Sequence, residues 1–293
     1  MESAIKVTVI VPVWNDRRRV VKCVNALKNQ TLLRQYYEII VVDNGSQDGT
    51  YDVISSIDGI IALQESKTGS YAARNKALKT AQGTFVAFTD SDCIPDKNWL
   101  KNLLECAEAN PGFGVVAGEI NFFIDEEHKT EEFALEYESF FSMKQEDYAK
   151  EGVCITANWF SIKKVIEQYG GFNAELKSGG DHEMSKLISR NGFPVIFCKD
   201  AIVNHPARNY AEILRKRRRV IGGAWDKKKS KFRAIQMYFQ SLKLFCKRAI
   251  ITVFRPNKPL TRRISVFRVL IAILFVSWVE ITRLLVGLPS ARS

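Results

Sequence analysis

Asp90 and Asp92 flank Ser91 at the end of the short apolar run Phe85–Phe88, in the stretch TFVAFTDSDCIP. Two carboxylates set one residue apart repel each other unless something positive lies between or beside them. In an extended segment both would point to the same side and face one site. A hard divalent cation, Mn2+ or Mg2+, is the natural counter-charge, because such ions favour carboxylate oxygens and complete their shells on substrate phosphates. The plainer alternative is a solvated turn in which Asp90 caps the next helix. Pro95 should stop the strand from continuing.

The elements around this pair read as apolar run, turn and helix, repeated. Val7–Val13 is a buried strand, and Arg17–Asn29 follows with apolar residues at helical spacing. Glu38–Val42, Ile60–Leu63 and Phe85–Phe88 read as further strands; Gln47–Ile57, Tyr71–Ala81 and Lys97–Ala109 read as the helices after strands two, three and four. This alternation predicts an α/β fold with a mostly parallel sheet covered on both faces. Ligands bind outside the carboxyl ends of such strands. Asn15, Asp43 and Asp90 each stand just past a strand end, three polar stations on one edge.

These residues also carry a resemblance. VTVIVPVWN, EIIVVDNGSQDGT, GSYAARNKAL and FVAFTDSD, in this order and spacing, resemble the nucleotide-sugar-binding half of glycosyltransferase family 2, over roughly residues 5–210. The resemblance implies a GT-A fold and inverting transfer of one sugar from a nucleotide diphosphate donor. It would put Pro12, Val13 and Asn15 in the nucleotide pocket and Asp43 against the base. An acceptor at Asp43 favours uracil, whose N3–H is a donor. Arg74 and Asn75 would lie near the diphosphate, Asp92 on the metal, and Asp90 on ribose or metal. Asp43 as a turn residue and Arg74 as a solvated helix residue are the alternatives.

In the second half, Phe113–Ala117, Ile120–Ile124 and Val153–Ala157 read as strands. Asn158 and Trp159 would stand at the mouth of the last one on the acceptor side, although Trp159 also suits a core. Glu131–Glu138 reads as a solvated helical face. In SGGDHEMSKLISRNGF, Asp181 falls on the family's catalytic carboxylate, with Gly180 where the family more often has Glu. Asp181 also suits the N-cap of a helix over His182–Arg190. The family frame makes His205, after another short strand, a further metal ligand, with a structural histidine as the alternative.

Charge divides the chain. Residues 1–207 carry 22 Lys+Arg and 29 Asp+Glu, whereas residues 208–263 carry 18 basic residues against only Glu212 and Asp226. Residues 1–207 therefore read as the GT-A domain (1–112 for donor binding, 113–207 for the acceptor), with 208–293 as a basic helical region. Near-helical spacing of Ile235, Tyr238, Phe239, Leu242, Phe245 and Ile250 among lysines and arginines suits an anionic membrane surface. Residues 255–259 should interrupt this helix. Ile264–Leu288 is expected to lie in the interface, its charges gathered on one third of the helix wheel; a short span, a hairpin and a core helix packed on the sheet are the alternatives. A chain ending near Arg208 is then expected to stay soluble.

The start MESAIKVTVI lacks the basic-then-apolar pattern of a signal peptide, and six scattered cysteines suit reduced thiols. The expected place is the cytoplasmic face of the membrane, and the expected acceptor a glycan or lipid-linked glycan. A nucleotidyltransferase is the alternative of similar fold, but WNDRRR after strand one lacks the glycines of a triphosphate loop. A nucleic-acid partner would suit the tail but not the slightly acidic body, so none is expected.

Overall fold

The computed structural model describes residues 5–125, 129–176, 178–226, 230–254 and 259–290. The expected interruption at 255–258 lies outside them. The chain divides into two compact units. The first comprises 1–121 and 143–205, the second 122–142 and 206–293. The segment 122–142 joins the C-terminal helices in the second unit.

In chain order the elements of the sheet are β1 (Val7–Val13), β2 (Tyr37–Asp43), β3 (Ile61–Gln64), β4 (Phe85–Phe88), β5 (Ile94–Pro95), β6 (Val115–Phe123), β7 (Trp159–Ile162) and β8 (Val195–Pro206). Their order across the sheet is β3-β2-β1-β4-β7-β6-β8-β5. β3, β2, β1 and β4 are parallel, whereas β7 runs antiparallel to both β4 and β6, and β5 is antiparallel to β8. The parallel character is therefore confined to the first half. One strand, β6, replaces the two expected over 113–124, and β7 starts at Trp159 instead of Val153. β5 extends the pairing through Pro95, which is tolerated at a sheet edge.

Alternation along β1 explains both cores. Val7, Val9, Val11 and Val13 pack with α1 (Arg19–Lys28) and α4 (Trp99–Glu108) on one face. Ile10 points to the other face, toward α3 (Ser70–Thr80) and α8 (Gly180–Arg190). The short helices α2 (Thr50–Ser55), α6 (Gln145–Lys150) and α7 (Lys163–Gln168) complete the first unit.

The second unit is built from α5 (Glu132–Phe141), α9 (Tyr210–Asp226), α10 (Lys231–Phe254) and α11 (Leu260–Leu285). Ala134 and Tyr137 of α5 pack on Ile213 of α9 and on Val266, Val269, Leu270 and Ile273 of α11. The expected solvated face of α5 is not one. Glu138 is buried and paired with Arg208 at 2.8 Å, and Glu136 is paired with Arg262. Burial is tolerable because each carboxylate meets a guanidinium.

α11 is long and apolar enough to cross a membrane by length and composition. Its apolar arc is outward as the wheel suggests, but one charge expected on the other arc is buried. Glu280 is 0% exposed and paired with Arg283, while Ile264, Ile271, Phe275, Trp278 and Leu285 are exposed.

Candidate active site

The parallel register of β1 with β2 and β4 sets the exits of the three strands on one edge. Pro12 and Val13 are buried within β1, opposite Val42 and Asp43. Asn15 is exposed with φ +48°, and ties β1 to the loop after β2. Its N–H donates to Ser46 Oγ (2.8 Å), and its Oδ1 accepts from Gln47 N–H (2.8 Å). Asp43 is 1% exposed; Oδ2 accepts from Ser46 N–H at 3.2 Å. Its Oδ1 is buried and has no hydrogen-bond donor among the described residues. An unsatisfied carboxylate oxygen is costly, so the spot suits a ligand N–H.

Arg74 of α3 is buried and donates to Asp90 Oδ1 at 2.6 Å. Neighbouring helix positions diverge by about 100°, and Asn75 accordingly serves elsewhere. Its amide takes the N–H of Phe172 (2.9 Å) and donates to the Phe172 carbonyl (2.7 Å). Asn75 is thus a clamp on the backbone after α7.

Asp90 and Asp92 do not lie in an extended segment. They bracket a turn in which Cys93 N–H donates to the Asp90 carbonyl at 3.1 Å. Burial pushes the Asp90 carboxyl above its usual range, against the opposing charge of Arg74; Asp92 and Asp181 add to the rise and His205 opposes it. Asp92, His205 and Asp181 therefore each lie within electrostatic reach of Asp90. His205 Nε2 stands 3.9 Å from Asp92 Oδ1, and Arg19 Nη1 stands 3.9 Å from Asp92 Oδ2.

Asp92, Cys93 and His205 each offer one ligand atom within 4.8 Å of the others. A carboxylate beside an imidazole fits a divalent ion of the Mn2+ type. The Cys93 thiol does not. Soft sulfur suits such a hard ion poorly, and burial, with Asp92 and Asp90 adding to it, pushes the thiol pKa up.

Asp181 is the second residue of α8, whose N-cap is Gly179, so the expected capping role is not observed. Its Oδ1 accepts from Tyr71 OH at 3.1 Å and from His182 N–H at 2.9 Å. Tyr71 OH in turn accepts from Gly180 N–H at 2.9 Å. A Cβ on Gly180 would sit 2.8 Å from the Tyr71 ring. The tyrosine thus occupies the space that a side chain at 180 would need. Burial, with the charge of Asp181 added, pushes the Tyr71 hydroxyl up to about 12, so it remains a donor.

Two expected acceptor-side residues are not at a mouth. Asn158 is 0% exposed; its amide accepts from Trp99 Nε1 and donates to the carbonyls of Glu119 and Ala201, each at 2.8 Å. Trp159 is fully buried, packed edge-on against Phe88 and Phe172. Both are core, because β7 begins at Trp159 and carries it between β4 and β6. Sequence reasoning missed Tyr71, Arg19 and Asp16. Arg19 Nε donates to both oxygens of Asp16 (2.8 and 3.0 Å), an i,i+3 pair visible in NDRRR. The trace of Tyr71 was the glycine at 180.

The fold is similar to that of solved glycosyltransferases. A mannosyltransferase from Pyrobaculum calidifontis, in complex with GDP-Man and Mn2+, superposes with TM-score 0.62 over 96% of this chain and 88% of its own, at 18% identity. TarS of S. aureus (residues 1–349, with UDP-GlcNAc) gives 0.55 over 97% and 93%, at 16% identity. In sequence, the glycosyltransferase AglE of Haloferax volcanii is 36% identical over 220 residues, 73% of this chain and 71% of the relative. The family model for glycosyl transferase family 2 matches residues 8–170, through β1, the carboxylate turn and β7. With that match spanning more than half its length, the chain belongs to glycosyl transferase family 2.

Proposed function

We propose that the protein transfers one sugar, with inversion, from a nucleoside diphosphate donor to a glycan or lipid-linked acceptor in surface polysaccharide or glycolipid synthesis. The observation that carries this reading is the double tie of α3. One helix holds Asp90 through Arg74 and Asp181 through Tyr71, with 2.6 and 3.1 Å contacts, so that donor-side and acceptor-side carboxylates share a scaffold. Fixed geometry of this kind is what an in-line displacement needs.

The acceptor hydroxyl loses its proton to an Asp181 carboxylate oxygen as its oxygen bonds to the anomeric carbon. The bond from that carbon to the diphosphate breaks, and its electron pair leaves with the nucleoside diphosphate. Asp43 Oδ1 accepts from the base, with uracil N3–H the fitting donor. Asp92 and His205 would hold a divalent cation, which neutralises charge on the departing diphosphate; imidazole in the set favours Mn2+ over Mg2+. The neighbour bound to GDP-Man and Mn2+ and the one bound to UDP-GlcNAc support the donor class.

The second unit supports work at the cytoplasmic face of an anionic membrane. α10 and α11 meet along a seam of Tyr238 with Trp278 and Phe245 with Phe267 (ring centroids 6.1 and 5.8 Å). At roughly 100° per residue, the exposed Ile235, Phe239 and Leu242 lie on the same side of that seam as Ile271, Phe275 and Trp278. Phe239 and Phe275 are 68% and 67% exposed. Such a face, flanked by lysines and arginines, suits shallow burial in an interface. The test is a donor screen that follows nucleoside diphosphate release, with NMR of the product's anomeric configuration. Retention of configuration, or release of pyrophosphate instead, would overturn the reading.

A further inference from the structure

The segment DNGS after β2 has the composition of a tight turn, where an asparagine amide commonly bonds its own backbone two residues on. Asn44 does something else. It is buried, and its amide reaches across to the segment between β3 and α3. Nδ2 donates to the carbonyls of Glu65 (3.0 Å) and Lys67 (2.8 Å), and Oδ1 accepts from the N–H of Gly69 at 2.6 Å. Both amide donors and the acceptor are thus committed to residues 65–69.

Backbone bonds fix the two ends of this link. The Asn44 N–H donates to the Val13 carbonyl at 2.9 Å, and the Asp43 carbonyl accepts from Glu65 N–H at 2.9 Å, so the clamp and Asp43 share one frame. At the far end Gly69 precedes α3 with φ +125°, a conformation open to glycine and few other residues. The Gly69 carbonyl accepts from Ala73 N–H at 3.2 Å and opens the helix. The first turns of α3 then present Tyr71 to Asp181 and Arg74 to Asp90. Displacing Gly69 displaces both ties together. Ser66, Lys67 and Thr68 are exposed, so water can take over their backbone when the amide is lost. The loop would then loosen at little cost to global stability.

We propose that Asn44 is a positioning residue that couples occupancy of the nucleotide pocket at Asp43 to the placing of Tyr71 and Arg74, and through them of Asp181 and Asp90. It rests on the reading of Asp43 as the nucleobase contact and Asp181 as the proton acceptor. A ligand N–H on the buried Asp43 Oδ1 steadies the residue next to the clamp, and the clamp passes that order to the start of α3. Misplacement of about 1 Å at a reacting centre costs on the order of a hundredfold in rate. Slack in this link therefore shows in turnover more than in affinity.

The test uses the full chain, with calorimetric titration of UDP, steady-state kinetics at fixed acceptor and thermal unfolding. Asn44→Ala is expected to melt close to the wild type, to lower kcat about tenfold or more, and to weaken UDP less than Asp43→Ala does. Asn44→Ser, whose hydroxyl can replace one of the three bonds, should lie between and guards against a folding defect in the alanine variant. The decisive readout is a double-mutant cycle with Tyr71→Phe. If Asn44 acts through α3, adding Asn44→Ala to Tyr71→Phe should cost less than about threefold more in kcat, whereas independent effects multiply. Fully multiplicative losses, wild-type kcat in Asn44→Ala, or losses in both Asn44 variants that follow a large fall in Tm overturn the proposal. Failure of the underlying reading looks different: Asp43→Ala would bind UDP normally, or Asp181→Asn would turn over normally, in a chain whose Asn44 is intact.

Discussion

The Tyr71 hydroxyl donates to Asp181 at 3.1 Å while accepting the backbone N–H of Gly180, so one phenol fixes both the carboxylate and the helix turn that carries it. Asp181→Asn should retain donor binding and lower kcat by about 10²–10⁴, the usual range for losing a general base. Tyr71→Phe should lower kcat by roughly tenfold to a hundredfold, with donor KM unchanged, because it loosens the base without removing it. Gly180→Ala should imitate Tyr71→Phe by displacing the ring. Steady-state kinetics with fixed acceptor separate these outcomes; an Asp181→Asn enzyme of near wild-type activity would remove Asp181 from the chemistry.

Asp43 makes a different prediction. Its buried Oδ1 lacks a donor among the described residues, and a partner on the nucleotide would satisfy it. Asp43→Ala should weaken UDP binding about tenfold or more, as expected when a buried charge-assisted hydrogen bond of roughly 1.5–3 kcal/mol is lost. Calorimetric titration of UDP, CDP and GDP checks this. Equal loss for all three would mean that Asp43 shapes the pocket without reading the base.

Metal removal tests the pair Asp92 and His205. Excess EDTA should abolish turnover and Mn2+ should restore it better than Mg2+. Asp92→Ala should remove activity with little change in Tm, because Asp92 lies on a partly exposed turn. Full turnover in EDTA would shift the task of charge neutralisation to Arg19 and Arg74.

For the membrane face, the full chain should pellet with anionic vesicles, and salt should weaken this without abolishing it. Electrostatic attraction is worth about 1 kcal/mol per basic residue near the surface, and the apolar term persists. Phe239→Glu together with Phe275→Glu should release the protein at high salt. Pelleting unchanged by the double substitution would exclude this face. A chain ending at Arg208 is no longer a clean control, because it would bare Ala134 and Tyr137 and leave Glu136 without Arg262.

Lys216 predicts a pH dependence. Its folded pKa of about 8 lies below the ordinary 10.5, so the unfolded chain binds more protons between those values and stability rises with pH across that window. Below pH 8 the penalty is fully present, on the order of 1–3 kcal/mol. Lys216→Met should remove this slope; melting curves of both proteins from pH 7 to 10 check it, and parallel curves would mean that Lys216 is solvated.

Much of the first unit was legible because its signals are local. β1 and β4 have the bounds that the apolar runs predict, and the parallel-sheet rule puts Asn15, Asp43 and Asp90 on one edge. What was not legible depends on distant partners. Asn158 looks like a strand-mouth residue until Trp99, Glu119 and Ala201 converge on its amide. Glu138 looks solvated until Arg208 arrives from 70 residues on. Gly180, a departure from the family pattern, makes sense only against the ring of Tyr71.

That α5 packs with helices from the far end of the chain has a consequence for synthesis. Ser142 leaves the ribosome more than a hundred residues before α11 is complete. At about 5–20 residues per second, Glu138 waits roughly four to fourteen seconds for Arg208, and Ala134 and Tyr137 roughly seven to thirty for their partners on α11. The residues of the first unit, through His205, have all been made before α9 begins. The proposed docking on a bilayer through α10 and α11 would then be a last event, reserved for chains whose first unit has already been translated in full.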